Sequence, residues 1–225
     1  MMGKLTREAV VEQALEIGSA EGLQAVTIRR LAQELGVTPM ALYWHFKNKE
    51  QLIIGMADHL IEGFVVTGDP ARPWQEQLRE LVIGLIKVLR RYPCAAPVLE
   101  EVDHMAVPSF LRVWDTALGL CERARFSPEE SCLISKYLLQ GAIALAAGPM
   151  NRRPGMSEPD AAERLRLKRV TLQSLPPDTY PHIVKMAAPL AEGGPAELYD
   201  TFGVDILTAG VEAMAARLLA ARTPG

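Results

Sequence analysis

One stretch of the sequence combines residue types that suit binding to a nucleic acid. Residues 27–49 contain four arginine or lysine side chains and a single acidic one, Glu34. Cationic side chains hold phosphates, while rings such as those of Tyr43 and Trp44 can contact base edges in a groove. Since the whole chain has a formal charge of −3, this is a local cationic patch on an acidic protein, as expected of a DNA-binding face. A helical hairpin with a solvated basic edge is the alternative interpretation.

A second pattern with chemical potential is the pair Glu101 and His104. Its Glu-x-x-His spacing is that of residues holding two metal ions in helical bundles, but that chemistry requires a second such pair. No other Glu-x-x-His occurs in the sequence, and it lacks a Gly-x-Ser-x-Gly elbow, a phosphate-cradling glycine loop and His-Glu-x-x-His. The sequence therefore predicts no catalytic residue, no metal site, no cofactor and no enzyme. A helical enzyme with a metal or small-molecule site around residues 100–104 stays open as an alternative.

Two short helices joined by a tight turn are predicted to position residues 27–49. Thr27 is placed to cap the first helix, and Gly36 falls where a left-handed residue would end it. Thr38 would cap the second helix, with Pro39 at its first position. The outward face of the second helix, at helical spacing, consists of Met40, Tyr43, Trp44 and Lys47. Such a face suits a DNA major groove better than water.

The run LAQELGVTPMALYWHFKNKEQL resembles the DNA-binding domain of TetR-family transcriptional regulators, in particular the tetracycline-repressor branch with its LYWHxKNK signature. The resemblance covers about residues 5–65. It continues more loosely through RPWQEQL, FSPEE and FGVDIL, which are similar to parts of that branch's all-helical C-terminal domain. The resemblance implies a homodimer that binds double-stranded operator DNA and responds to a small organic effector. A repressor is the expected function.

The resemblance also implies DNA contacts for individual residues. Arg29 would contact DNA from the first helix of the motif, while His45 and Lys49 would hold phosphates. Tyr43 and Trp44 would lie against the groove. The full set of predicted DNA-binding residues is Thr27, Arg29, Arg30, Thr38, Pro39, Met40, Ala41, Tyr43, Trp44, His45, Lys47 and Lys49.

The sequence departs from the tetracycline repressor at positions that decide specificity. At the base-reading positions 39–41 it has Pro-Met-Ala in place of Gln-Pro-Thr, so a different operator is expected. Val65 and Leu99 stand where the family has the histidines that bind magnesium–tetracycline, and residues 148–150 offer no glutamate. Metal-dependent recognition of tetracycline is therefore not predicted.

Length and composition favour an all-α protein. The chain has 225 residues, of which 49% are hydrophobic and only 6% aromatic, and no strand-like alternation is sustained. We predict a three-helix helix-turn-helix DNA-binding domain at 1–49 and a helical effector-binding and dimerisation domain at 50–225. A helix at 49–66 would link the two. No signal peptide or apolar run of membrane-spanning length is present, so a cytoplasmic protein without a membrane partner is expected.

Two segments, 127–147 and 196–222, are apolar on nearly all sides. A helix with two apolar stripes must bury both, one in its own subunit and the other against a second copy. A two-fold symmetric four-helix interface is therefore predicted, although a core helix of a monomer would show the same pattern. The expected interface residues are Tyr137, Gly141, Phe202, Ile206, Ala209, Gly210 and Ala213.

An apolar cavity among the C-terminal helices is predicted to hold the effector. His104 and Gln140 are the candidate polar anchors. The predicted effector-binding residues are Met56, Phe64, His104, Met105, Phe110, Trp114, Gln140 and Met186. Two alternatives stay open: these side chains form only core, or the C-terminal domain dimerises and binds no small molecule.

Overall fold

The computed structural model describes residues 5–64, 68–148, 157–193 and 195–222. Within these residues it has twelve α-helices and no strand, which confirms the all-helical expectation. The chain divides into two compact units. The first joins residues 1–146 to 207–225, and the second comprises residues 147–206.

The first unit begins with eight consecutive helices. They are α1 (Arg7–Glu21), α2 (Ile28–Glu34), α3 (Pro39–Tyr43), α4 (Lys49–Glu62), α5 (Trp74–Arg91), α6 (Ala95–Glu101), α7 (Pro108–Arg123) and α8 (Pro128–Ala146). A 3-10 turn at His104–Ala106 precedes α7. Helix α4 packs against α1 on one side and against α6 and α7 on the other, so it connects the N-terminal helices to the rest of this unit.

The N-terminal helices close around the ring of Phe46, which is almost fully buried. Gly55 of α4 lies directly against this ring, because a Cβ at that position would come within 2.8 Å of Phe46 Cε1. The Arg7 guanidinium lies 5.0 Å from the ring centroid on another side. The core of α1 that supports the motif consists of Val10, Val11, Ala14, Leu15 and Ile17. This packing fixes the residues that follow α3 against α1 and α4, while α3 itself packs on α2.

Helix α4 is shorter than predicted. It ends at Glu62, where Gly63 forms the C-cap, rather than near residue 66. Glycine is a weak helix former. The ring of Phe64 lies against Gly84 of α5, so close that a side chain at position 84 would clash with it. Residues 65 and 66 of the predicted linking helix lie outside the described residues.

Helices α5, α7 and α8 pack on one another and form the main core of the first unit. Helix α5 spans Trp74–Arg91 and is amphipathic, with its apolar face buried. The buried Gln77 fixes the chain before it, since its Nε2 donates to the carbonyl oxygens of Asp69 at 2.8 Å and Arg72 at 3.0 Å.

The second unit contains α9 (Glu158–Gln173), α10 (Pro181–Lys185) and α11 (Ala187–Glu192). Helices α9 and α11 pack together, and the Arg169 guanidinium lies 3.3 Å from a carboxylate oxygen of Glu192. Gly193 ends α11 in a left-handed conformation at φ 81°, which glycine adopts without strain. The long helix α12 (Ala196–Arg222) starts in this unit and ends in the first.

Candidate DNA-binding surface and effector pocket

Helix α2 is capped as its sequence predicts. The Thr27 hydroxyl accepts a hydrogen bond from the backbone N–H of Arg30 at 3.1 Å. The Arg30 guanidinium forms ion pairs with Glu21, at 2.8 Å, and with Glu34. Hydrogen bonds to Glu21 and then Glu34 raise the pKa of Arg30 above its ordinary value. Arg30 therefore helps to hold α2 in place, whereas the nearby Arg29 is exposed without an ion pair in the described part of the chain.

Helix α3 presents large apolar side chains to solvent. Met40, Tyr43 and Trp44 have exposed fractions of 69%, 48% and 86%, whereas Leu42 on the opposite face is fully buried. The Thr38 hydroxyl caps the helix by accepting from Ala41 N at 3.4 Å, with Pro39 at the first position. An exposed cluster of this kind on a capped, well-supported helix is the mark of an interaction surface.

The structure corrects the predicted length of this second helix. It ends at Tyr43, so Lys47 follows the helix instead of continuing its outward face. Two requirements end it. The Phe46 ring must enter the core, which is a long-range contact, and Asn48 adopts an extended conformation at φ −155° to cap α4. Helix propensity and residue spacing do not reveal the first of these requirements, because it depends on packing against α1 and α4.

The start of α4 lies directly after this surface. Asn48 caps this helix, since its Oδ1 accepts from Gln51 N at 2.8 Å. The Gln51 side chain does not complete a capping box, since its Oε1 accepts from Lys47 N at 3.1 Å instead of from Asn48 N. Lys49 is half-buried at the first position of α4. The other predicted DNA-binding residues are exposed at Thr27, Thr38, Pro39 and Lys47 and half-buried at Ala41 and His45.

The first unit contains a pocket of about 680 Å³ between α6, the following 3-10 turn, α7 and α8. This volume suits a drug-sized molecule. Five of the eight predicted effector-binding residues line it together: His104, Met105, Phe110, Trp114 and Gln140. Sequence reasoning missed the wall that α8 contributes through Leu133, Leu139 and Ile143. Their helical spacing is visible in the sequence, but 127–147 is apolar all round and spacing alone does not tell which face lines a cavity.

The structure does not bring the remaining three predicted residues to this pocket. Met56 is fully buried in the core on α4. Phe64 packs its ring against Gly84 of α5. Met186 belongs to the second unit, where it is about half exposed between α10 and α11. All three side chains are apolar, but the packing of the helices places them outside this pocket.

Three rings form one wall of the pocket. The ring of His104 stacks on that of Phe110 with centroids 4.4 Å apart and planes 25° apart. Phe110 and Trp114 are 5.9 Å apart in a tilted arrangement. Trp114 Nε1 donates to Ser135 Oγ at 2.9 Å, and that hydroxyl donates in turn to the Cys132 carbonyl at 2.9 Å. These bonds fix the indole orientation from α8.

The imidazole of His104 has one nitrogen without a partner. Its Nε2 atom is buried, and no group in the described residues forms a hydrogen bond with it. The adjacent Asp103 carboxylate is used locally, because it accepts from Met105 N at 3.0 Å and caps the 3-10 turn. A buried polar atom without a partner is uncommon in a folded protein and calls for an explanation.

A hydrogen bond connects this pocket wall to α4. Asp58 Oδ1, on α4, accepts from the backbone N–H of Ser109 at 2.8 Å. Ser109 is the second residue of α7, after Pro108, and directly precedes Phe110 of the ring wall. A carboxylate at a helix N-terminus satisfies an orphan amide and complements the helix dipole. A displacement of Phe110 would therefore move the adjacent Ser109, whose hydrogen bond to Asp58 would transmit the change to α4.

The predicted dimer face is exposed on α12. Phe202 and Ile206 are 61% and 60% exposed in the second unit, and Ala209, Gly210 and Ala213 are exposed in the first. Tyr137 of α8 is 63% exposed. The stripe that α12 buries contains Val204, Thr208, Val211 and Ala215.

Gly141 has a different role from the other predicted interface residues. A Cβ at this position would come within 2.6 Å of Leu207 Cδ2 of α12, so Gly141 allows α8 and α12 to approach each other within one chain. A Cβ at Gly210, by contrast, would meet nothing within 4 Å. The close helix approach that Gly141 permits is therefore between α8 and α12 of one subunit.

Across the described ranges, no three or more His, Cys, Asp or Glu side chains are grouped so that they could hold a metal ion. None of the helices in those ranges is long and apolar enough to cross a membrane.

Known proteins resemble this chain in sequence and in structure. Residues 10–56 match the family of bacterial regulatory proteins described as the tetR family. The class C tetracycline repressor of Escherichia coli is 30% identical over 215 residues, which cover 95% of this chain and 93% of that protein. ActR of Streptomyces coelicolor, solved in complex with actinorhodin, is 25% identical with a TM-score of 0.80, covering 95% of this chain and 99% of ActR.

A further solved structure, BioQ with its double-stranded DNA operator, is 26% identical with a TM-score of 0.57 and covers 67% of this chain and 90% of that one. The similarity to the class C repressor extends over nearly the whole of both chains. Together with the capped α2–turn–α3 unit, it identifies the chain as a helix-turn-helix transcriptional regulator that belongs to the TetR family of bacterial regulatory proteins.

Proposed function

We propose that this protein is a homodimeric repressor that binds a pseudo-palindromic operator and is released when a small organic molecule occupies the pocket. Residues 1–49 would read DNA, and residues 50–225 would bind the effector and dimerise. The protein would act in the cytoplasm, where its DNA target lies, and would catalyse no reaction. The observation that carries the proposal is the exposure of Met40, Tyr43 and Trp44 beside lysines on a helix whose other face is buried.

In this proposal the N-terminus of α3 enters the major groove. Pro39, Met40 and Ala41 would face base edges, since the groove displays thymine methyl groups that apolar side chains contact. Tyr43 and Trp44 would lie along the groove wall. The phosphate contacts would come from Arg29, His45, Lys47 and Lys49, with Thr27 and Thr38 nearby. Arg30 would be a weaker phosphate ligand than Arg29, because a phosphate must compete with its two carboxylates.

Two copies are needed for a specific site. Half-sites one helical turn apart require recognition helices about 34–36 Å apart, a spacing that a rigid dimer can fix. The exposed stripe on α12, with Tyr137 on α8, supports a two-fold interface made of two helices from each subunit.

The structural change that releases the protein from DNA would be transmitted from the ring wall of the pocket to α4. A ligand that contacts His104 and Phe110 would bias the position of Ser109, and the hydrogen bond to Asp58 would pass this bias to α4. Because α4 packs on α1, the separation of the two recognition helices would change. The ligand must bind more tightly to the conformation whose recognition helices do not match the half-site spacing, with a coupling free energy of about 1–3 kcal/mol.

The test is selection of bound DNA from a random double-stranded library, followed by titration of the enriched sequence. A pseudo-palindrome with half-site centres about one helical turn apart is expected. Trp44→Ala should weaken binding to it, whereas Tyr180→Ala, which removes an exposed aromatic ring from the second unit, should not. Failure to enrich any sequence, or equal effects of the two substitutions, would refute the proposed role of α3.

A further inference from the structure

We propose that Gln51 is a positioning residue for DNA binding, whose side-chain oxygen holds the backbone of Lys47 so that the lysine ammonium group meets a phosphate of the operator. This inference rests on the proposed function, because it concerns a contact of the proposed DNA-binding surface. It adds a residue that is not itself among the predicted DNA contacts.

The connection between α3 and α4 has its backbone amides tied in two directions. The amides of His45 and Phe46 donate backward to the carbonyl oxygen of Leu42, at 2.9 Å and 3.0 Å. The amide of Lys47 donates forward, to Gln51 Oε1 at 3.1 Å. The chain therefore changes its hydrogen-bonding partner from α3 to α4 at Lys47, and the acceptor on α4 is a side chain.

Gln51 binds this connection at two points. Its backbone N–H donates to Asn48 Oδ1 at 2.8 Å, while its Oε1 accepts from Lys47 N. In a capping box the side chain at this third helical position accepts from the N-cap residue itself, whereas here it reaches one residue further back. The Gln51 side chain therefore fixes the residue before the cap, which is the residue proposed to hold a phosphate.

A second anchor lies immediately before Lys47. The Phe46 ring is buried, with Gly55 against it and the Arg7 guanidinium 5.0 Å from its centroid. This anchor alone would let the following peptide rotate, because an exposed amide can pair with water instead of protein. The bond to Gln51 removes that freedom. Together, the buried ring and the held amide set the direction of the Cα–Cβ bond of Lys47.

The backbone of Lys47 needs this support because its side chain is not held. The side chain is exposed and forms no ion pair in the described part of the chain, in contrast to Arg30, which has two carboxylate partners. Ordering a segment in its bound conformation beforehand reduces the entropy lost on binding. Gln51 orders the backbone without neutralising the ammonium group, and its uncharged amide adds no negative charge beside a phosphate.

The first experiment measures the hydrogen bond itself. Exchange of the Lys47 amide with solvent is followed by NMR in protein that carries isotope-labelled lysine, and Lys47→Ala identifies the signal. Gln51→Met keeps a long side chain of high helix propensity but removes the acceptor, so this amide should exchange severalfold faster. Gln51→Glu retains an acceptor oxygen and should keep the slow exchange. Equal exchange rates in Gln51→Met and the unmodified protein would overturn the proposal.

The second experiment tests whether the bond affects DNA binding through Lys47. Operator affinity is measured for Gln51→Met, for Lys47→Ala and for the double variant. Gln51→Met should weaken binding by up to about tenfold, and Lys47→Ala by at least as much. Once the lysine side chain is absent, replacing Gln51 should have little further effect. Additive effects, or an unchanged affinity of Gln51→Met, would overturn the proposal.

Gln173→Met is the matched control. Gln173 is an exposed glutamine at the end of α9 in the second unit, so its replacement should leave the operator affinity and the exchange of the Lys47 amide unchanged. Thermal unfolding of the same proteins confirms that each variant is folded. A merely structural role of Gln51 would lower operator affinity equally with and without the Lys47 side chain, and that result would contradict positioning.

The outcomes separate this inference from the proposed function. Specific operator binding that Gln51→Met does not weaken would overturn the positioning role and leave the repressor proposal standing. If no operator is selected from the random library, the proposed function fails and the positioning role fails with it, whereas the amide exchange still reports the hydrogen bond.

Discussion

Helices α3 and α12 both expose apolar side chains, yet their surroundings differ in charge. The exposed face of α3 is followed by Lys47 and Lys49. Between residues 202 and 213, α12 has two acidic residues and no basic one. Phosphates would be attracted to the first surface and repelled by the second. An exposed apolar face therefore indicates an interaction, and the charges beside it indicate whether the partner is DNA or another protein.

The two faces also differ in side-chain size. Helix α3 has large side chains, Met40, Tyr43 and Trp44, which can reach into a groove. The exposed stripe of α12 has small residues near its centre, Ala209, Gly210 and Ala213, with larger side chains toward the start of the helix. Small residues permit a second helix to lie close, which suits an interface between two copies. The following predictions test this division of roles, from the largest expected effect to the smallest.

The largest effect is expected from Gly210→Glu. A Cβ at this position has open space in a single chain, so the subunit should fold normally. In the dimer the carboxylate would be buried without a partner, at a cost of several kcal/mol. Light scattering should show a monomer, and operator affinity should fall by orders of magnitude, because one half-site alone binds weakly.

Gly119→Glu is the matched control for this substitution. Gly119 is also helical, on α7, and its Cβ would also meet nothing within 4 Å. The control should stay dimeric and bind the operator normally. If Gly210→Glu also remains a dimer with normal affinity, the α12 stripe is not the interface and the comparison between the two helices fails.

On α3, Tyr43→Ala should change which bases are preferred. Loss of the ring should relax the preference at one or two positions of each half-site by about 1–3 kcal/mol, without changing the oligomeric state. Met40→Ala should act in the same way at a different position. The measurement is competition among single-base variants of the selected operator. An unchanged preference at every position in both mutants would mean that α3 does not read the bases.

The link between the pocket and the DNA-binding helices predicts a smaller effect. Asp58→Ala removes the acceptor of the hydrogen bond from the Ser109 amide. The free energy of unfolding should fall by about 1.5 kcal/mol, the lower end of the range for hydrogen bonds to charged groups. The substitution should also reduce the change in operator affinity caused by a saturating effector that releases the unmodified protein from its operator. Asp58→Asn keeps an acceptor oxygen and should restore much of this response.

Glu62→Ala controls for loss of an acidic residue from α4. Glu62 is exposed one turn further along the same helix, and its removal should leave both stability and the response to the effector unchanged. If Asp58→Ala responds to the effector like the unmodified protein, coupling between the pocket and α4 uses other contacts.

The sequence predicts features that depend on local chemistry. The caps at Thr27 and Thr38 form as predicted, and Gly36 is left-handed at φ 64°. Each requires only a side chain and a backbone amide three residues away, or a residue without a Cβ. Such interactions are the same in almost any tertiary context.

Features that depend on long-range packing could not be predicted in this way. Helix α3 ends early because Phe46 must enter a core built by α1 and α4. Met56 and Phe110 are both apolar residues on helices, and only the arrangement of the helices sends one into the core and the other to the pocket. Cys132, a small side chain on the nearly all-apolar helix α8, is exposed at the pocket, whereas Cys94 and Cys121 are buried in the core.

The smallest predicted effect distinguishes two cations of the DNA-binding surface. Lys49 is at the start of α4 without an ion pair in the described residues, whereas Arg30 is held by Glu21 and Glu34. Each phosphate that a cation neutralises adds about 0.9 to the slope of log affinity against log salt. Lys49→Ala should therefore reduce the slope by about 0.9 for each subunit and weaken specific and random DNA alike.

Arg30→Ala should change the slope much less, because the carboxylates already neutralise this guanidinium. Its main effect should be on α2, which loses contacts to Glu21 and Glu34, but exposed ion pairs contribute only about 0–1 kcal/mol each. Titrations at four or more salt concentrations, with thermal unfolding of the same samples, separate the two effects. If Arg30→Ala lowers the slope as much as Lys49→Ala, the guanidinium leaves its carboxylates for a phosphate when DNA binds. In that case the ion pairs of free α2 do not predict which cations contact DNA.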